Sequence, residues 1–170
     1  MDIKIKTEQE NFKYRVCGIL KHGDKYLGVK IADNEFFCLP GGHVEIGEDA
    51  ELAALREMQE ELGFPINILK LAGIAENFFK NKNGGMFHEL SFYYIVEAKN
   101  PLDVNTEDYE LVEIDKGKPT KLEFKWFTKE EIEDIDFRPA FVKDLIVSDD
   151  MLHIVSRDNE SMKFDYYKKH

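Results

Sequence analysis

Glu57, Glu60 and Glu61 stand at i, i+3 and i+4, a spacing that puts three carboxylates on one face of a helix. A second acidic group, Glu45, Glu48 and Asp49, lies in the segment leading into that helix, and Arg56 is the adjacent cation. A loop and a helix face could converge several oxygen ligands on one point. Hard divalent cations want that arrangement, and magnesium suits it best where substrate phosphates complete its octahedron. Gly41 and Gly42 let the backbone turn tightly and approach an ion closely. The plain alternative is a solvated helix face, and the Glu triad taken alone favours it.

The elements that must position these groups are legible from their periodicity. Ala50 to Leu62 consists almost wholly of helix formers, with Asp49 as N-cap and Gly63 just past the end. Leu52, Leu55, Met58 and Leu62 form the expected core-facing stripe, with the glutamates pointing away from it. Upstream, residues 12–20 and 26–31 read as two strands joined by a turn at His22-Gly23-Asp24-Lys25. A short strand, Phe36 to Leu39, runs into a sharp break at Pro40-Gly41-Gly42. Downstream, Ile66 to Phe79 holds one or two strands, Asn81 to Gly85 a turn, and Phe87 to Ala98 a long strand. Asn100 to Thr120 reads mostly as loop with room for one short strand, and Leu122 to Phe127 as a strand. Thr128 opens a short helix with a capping box closed by Glu131. Arg138 to Val147 reads as a helix and Met151 to Ser156 as a last strand. The sum is an α+β chain, a three-layer α/β/α sandwich, with 1–170 read as a single domain.

Spacing adds what periodicity lacks. Gly42, five residues, Glu48, seven residues, then Arg56-Glu57-Met58, Glu60-Glu61 and Gly63-Phe64 fit the Nudix box without a miss. Leu39-Pro40-Gly41 ahead of it, and a strand carrying Glu123 and Trp126 before the Thr128 helix, also resemble the Nudix hydrolases. The resemblance implies a mixed β-sheet flanked by helices, and metal-dependent hydrolysis of a nucleoside diphosphate linked to another moiety, with water attacking phosphorus. It implies Mg2+ or Mn2+ as cofactor. Glu57 and Glu61 would be the principal metal ligands, Glu60 a third ligand or the base, and the Gly42 carbonyl a backbone ligand. Arg56 would hold the carboxylates in place, and Glu48 would brace the loop. Many members recruit a further base from a later segment; Glu123 is the first candidate, with Glu113 and Glu110 behind it. The positions where relatives that cleave ADP-ribose or diadenosine polyphosphates carry a proline or a tyrosine hold Phe78, Phe79 and Lys80, so substrate choice departs from both patterns. Phe78 and Phe79 are candidates for stacking on a base, against the ordinary reading that they are core. His43, His88 and Trp126 read as structural.

Composition bounds the partners. The 170 residues, 43% of them apolar, include thirteen Phe and seven Tyr and suffice for one well-filled core. A net charge of −11 repels extended nucleic acid and anionic lipid, leaving a small nucleotide-type molecule as the expected substrate. Cys17 and Cys38 are too few for a disulfide framework and read as buried, reduced thiols. The N-terminus lacks the apolar run of a signal peptide and no segment has the length of a membrane span, so a cytoplasmic location is expected. The strand content would permit a homodimer. Against the hydrolase stand a Nudix-fold module that binds a nucleotide metabolite without cleaving it, and a member acting on RNA 5′ ends. The intact box argues against the first and the lack of a basic patch against the second.

Overall fold

The computed structural model describes residues 1–80, 83–115, 117–157 and 160–164. Its strands are β1 (Lys4–Lys6), β2 (Glu10–His22), β3 (Lys25–Ile31), β4 (Gly41–His43), β5 (Ile66–Lys80), β6 (Met86–Ala98), β7 (Tyr109–Asp115), β8 (Lys118–Thr128), β9 (Leu152–Arg157) and β10 (Glu160–Phe164). The helices are α1 (Ala50–Leu62), α2 (Lys129–Asp134) and α3 (Val142–Val147), with a 3-10 turn at Pro101–Asp103.

The strands form one mixed sheet in the order β10-β9-β5-β6-β2-β3-β8-β7, with β1 and β4 also paired to β2. The β2–β6 and β5–β9 pairs are parallel and the others antiparallel. Along one side β2 pairs with β6 from Glu10 to Leu20. Along the other it takes three short partners in turn: β1, β4 and the start of β3. The β3–β8–β7 ribbon leaves β2 after the hairpin, and β4 fills the space so opened.

Each sheet face carries its own core. Val16, Leu20, Leu27, Val29, Leu122, Phe124 and Trp126 pack with Ala50, Ala53, Ala54 and Met58 of α1. Cys17, Ile19, Tyr26 and Phe127 pack on the opposite face with Ile132 of α2 and Val142, Leu145 and Ile146 of α3. Side chains alternate across a strand, so neighbours in sequence enter opposite cores. The result is the expected three-layer α/β/α arrangement. Among the described residues no helix is long and apolar enough to cross a membrane.

Helix α1 has the expected ends. The Asp49 side chain accepts from the Leu52 N–H at 2.9 Å, and Gly63 closes the helix in the left-handed region at φ 80°. The Thr128–Glu131 capping box is present as expected.

Other elements differ. Phe36 to Leu39 makes only isolated bridges, Phe37 to Phe137 and Cys38 to Val29. The strand is instead Gly41–His43, within the expected break. Residues 66–80 form one strand whose register shifts twice against β6, which absorbs the broken alternation. The stretch 100–120 holds the one short strand expected, β7, and also the start of β8, paired with it from Tyr109–Phe124 to Asp115–Lys118. The expected helix at 138–147 begins only at Val142: Pro139 disfavours a helical Arg138, and the segment between forms a turn in which the Val142 N–H donates to the Pro139 carbonyl at 3.1 Å. β10 was not anticipated. Asn81 and Lys82, in the expected turn, lie outside the described residues.

Candidate active site

The site begins with the phase of α1. At 3.6 residues per turn, Ala50, Ala53, Ala54, Glu57, Met58 and Glu61 share an arc of roughly 140°. That arc faces the sheet: the alanines and Met58 are buried, whereas Leu52 is 56% exposed. Of the expected stripe, Met58 is buried and Leu55 and Leu62 pack at the core's edge, while Leu52 lies outside it. Small alanines bring the first half of the helix down onto the sheet, and the second half places Glu57 and Glu61 over β4. Glu57 is 16% exposed and Glu60, on the flank, 62%.

Two glycines make room for this approach. A Cβ at Gly42 would collide with the Glu57 carboxylate, and one at Gly41 with the carbonyl of Val16. Gly41 also sits at φ 151°, a conformation side chains disfavour. Its N–H donates to Glu61 Oε2 at 3.0 Å.

Arg56 ties loop and helix together. Its Nε and Nη2 donate to the two oxygens of Glu48 at 2.9 and 2.8 Å, a bidentate pair. Its Nη1 donates to Glu57 Oε1 at 2.7 Å and lies 3.5 Å from Glu60 Oε2, while Nη2 also reaches the His43 carbonyl at 3.1 Å. Glu48 in turn accepts from the Glu45 N–H at 3.1 Å, so it braces the loop. The hydrogen bonds from Arg56 hold the Glu48 carboxyl below its usual range.

Glu61 is the strained member. Burial pushes its carboxyl up to about 7; the nearby charges of Glu57 and Glu113 add to the rise, while the Gly41 N–H and Arg15 oppose it. Among the described residues no three His, Cys, Asp or Glu side chains are grouped as a ready metal site. The donor set nonetheless fits a hard cation. Two inward carboxylates and the backbone at Gly42 are oxygen donors, and the space a side chain at Gly42 would need is taken by one of them.

The later acids are sorted by strand parity. Glu123 lies between Leu122 and Phe124, which face α1, so its own side chain emerges on the opposite face. There it pairs with Lys121 at 3.1 Å and Lys30 at 3.5 Å. Glu110 shares that face and pairs with Lys121 at 2.8 Å. The structure thus does not bring Glu123 to the box, contrary to expectation. Glu113 shares its phase with Tyr109 and Leu111 on the α1 face, and its charge is felt by Glu61.

Phe78 and Phe79 also part. Phe78 stacks on His88 at 4.2 Å under the Arg157 guanidinium, beside a cavity of about 300 Å³ that Phe12 and Met86 also line. Phe79 stacks on Phe87 at 5.0 Å on the other face, and Lys13 Nζ lies over the Phe87 ring. Trp126 donates its indole N–H to the Asn105 carbonyl at 2.9 Å, a structural role. Burial raises the Cys17 thiol to about 12 and the Cys38 thiol to about 11, so both are inert at neutral pH.

Sequence reasoning did not single out Arg15 and read His43 as structural. Arg15 and His43 face each other across β2–β4 beside the box glycines. The sequence signal for Arg15 was its place, with Lys13, as one of two cations in the otherwise apolar run at 12–20.

A three-layer fold carrying this loop and helix defines a class, and comparison with known proteins agrees. Residues 15–145 match the NUDIX domain, and the chain belongs to that family. It is 33% identical over 106 residues to an ADP-ribose pyrophosphatase of Methanocaldococcus jannaschii, covering 56% of this chain and 61% of that one. It is 39% identical over 61 residues to an RNA pyrophosphohydrolase of Wolbachia pipientis wMel, covering 34% of this chain and 37% of that one. The chain thus spans less than two thirds of either relative. Among solved structures, a MutT protein from Bacillus halodurans superposes with a TM-score of 0.58 at 17% identity, over 88% of this chain and 94% of that one. That likeness speaks for the fold.

Proposed function

We propose that residues 1–170 form one catalytic unit that hydrolyses the diphosphate bond of a nucleoside diphosphate joined to another group. It would act in the cytoplasm with magnesium or manganese. The observation that carries this reading is the inward placement of Glu57 and Glu61 over Gly41–Gly42, held by Arg56. Family membership and the pyrophosphatase names of the relatives support it.

Glu57, Glu61 and the Gly42 carbonyl would hold the ion, which when bound neutralises charge on the diphosphate oxygens and acidifies water beside it. Arg56 fixes the Glu57 carboxylate so that little reorganisation is left for the moment of reaction. Glu60, exposed on the flank of α1, takes the proton of the attacking water. Glu113 adds a carboxylate from β7 on the same side of the sheet as the box. Water attack on phosphorus needs no side-chain nucleophile, in keeping with a buried Cys17 and a half-buried Cys38 whose thiols stay protonated. Phe79 with Phe87 offers a flat apolar surface for a base; Phe78 offers a second, beside the small cavity.

The test is a mass-spectrometric screen of nucleoside diphosphate derivatives with magnesium in ¹⁸O-labelled water. One labelled phosphate per turnover is expected, with the labelled product naming the phosphorus attacked. Nucleotide binding without label transfer would leave a binding module in place of the enzyme.

A further inference from the structure

Among the described residues, the buried side-chain nitrogens and oxygens without a hydrogen-bond partner are two: Nε of Arg15 and Nε2 of His43. They belong to residues paired directly across β2–β4, so the two side chains emerge side by side on one face. A buried donor left unpaired is costly, and two such groups at one point call for a shared partner.

The surroundings say what partner. Arg15 makes no ion pair within 4 Å among the described residues; the nearby carboxylate of Glu89 is engaged by Lys13 at 3.6 Å. Arg15 Nη2 reaches only the Gly41 carbonyl, at 3.5 Å. His43 has Asp2 at 3.9 Å as its one acidic neighbour, with Lys4, Lys13 and Arg15 all raising the local positive potential. In a chain of net charge −11 this is a local reversal of sign.

Its position relative to the box is set by one peptide unit. Gly41 gives its N–H to Glu61 from one side and its carbonyl to Arg15 from the other, with no side chain between them. Arg15 and His43 share the face of Cys17, opposite α1, and meet the box across the bare backbone of Gly41. A diphosphate lying over Gly41 would therefore present one phosphate to the carboxylates and the other to Arg15 and His43.

We infer that Arg15 and His43 form an anion subsite that binds the second phosphate of the substrate diphosphate. This rests on the hydrolase reading and names the part of the site that recognises the leaving or retained phosphate. The face continues past Lys13 to Phe87 and Phe79, four residues along β6 from the strand position opposite Arg15. At about 3.3 Å per residue that is roughly 13 Å, a span suited to a nucleoside. The subsite therefore favours substrates whose base lies toward Phe79.

The probe is magnesium imidodiphosphate, which resists hydrolysis, titrated calorimetrically into the full chain and into Arg15→Gln, Arg15→Lys and His43→Gln. Mn2+ binding, followed by paramagnetic resonance without phosphate, is the parallel readout. Arg15→Gln is expected to weaken imidodiphosphate about tenfold or more, His43→Gln about threefold, and Arg15→Lys less than Arg15→Gln, all with Mn2+ binding retained. Should Arg15→Gln fail to fold, His43→Gln and Arg15→Lys carry the same comparison. Imidodiphosphate affinity unchanged in the folded variants overturns the subsite and leaves Glu57 and Glu61 in their roles. Loss of Mn2+ binding in Arg15→Gln overturns it too, since Arg15 would then act through the box. A wild-type chain that binds neither Mn2+ nor imidodiphosphate defeats the hydrolase reading itself.

Discussion

Gly42 lies directly beneath the carboxylate of Glu57, so close that a single methyl group on its Cα would occupy the space of the acid. The strand residue and the helix residue are fifteen positions apart, and their contact fixes how α1 sits over β4. Gly42→Ala is therefore expected to displace Glu57, weakening Mn2+ binding about tenfold or more while costing about 1–3 kcal/mol of stability. Paramagnetic resonance and urea unfolding check the two effects separately. Tight Mn2+ binding in the variant would show that Glu57 is not a ligand.

The glutamates make a graded series. Glu57→Gln, Glu60→Gln and Glu61→Gln should each lower turnover about tenfold or more with the fold intact. Glu113→Gln should lower it by about the same factor, and Glu123→Gln, on the far face, by less than about twofold. Steady-state rates on whichever nucleotide the label screen identifies decide the matter, and the reverse order for Glu113 and Glu123 would refute the parity assignment.

Glu61 links pH to stability. Its carboxyl ionises near 4.5 when unfolded and near 7 when folded, because burial penalises the charge. The folded state thus holds a proton that the unfolded state releases, so metal-free stability falls as pH rises from about 4.5 through 7 and stays low above it. Glu61→Gln removes this term. The variant should gain about 1–3 kcal/mol on the wild type at about pH 8 and much less at about pH 5, by urea unfolding in chelator. An equal gain at both values would contradict the shift.

The thiols provide a control on the cores. With Cys17 near 12 and Cys38 near 11, both stay protonated at about pH 8, Cys17 buried and Cys38 half-buried. Ellman's reagent should find almost no reactive thiol in the native protein and both thiols in denaturant. Fast native labelling of Cys17 would mean that the face below β2 opens readily.

Much of this was legible in the chain. Asp49, Gly63 and Thr128 announce helix ends because capping is local chemistry, readable within four residues. The box announces the site because its spacing is set by one loop and one helix. What failed depends on contacts between distant segments. Leu52 looked like core until α1 turned its alanines and glutamates to the sheet, a choice made by the glycines of β4. Gly41-Gly42-His43 has no strand propensity and becomes a strand only because β2 offers free backbone. Glu123 and Glu113 cannot be told apart without knowing which side of β8 meets α1. Arg15 and His43 acquire meaning only through their pairing.

β4 hangs on β2 by three residue pairs, Arg15–His43, Val16–Gly42 and Cys17–Gly41. The spacing between the two halves of the reaction centre is thus metered by backbone ladder rungs, independent of the length of chain running between them. Loop engineering between Ala32 and Phe36 should accordingly be tolerated, whereas inserting one residue between Leu39 and Val44 would slip the ladder by a rung and scramble every ligand at once.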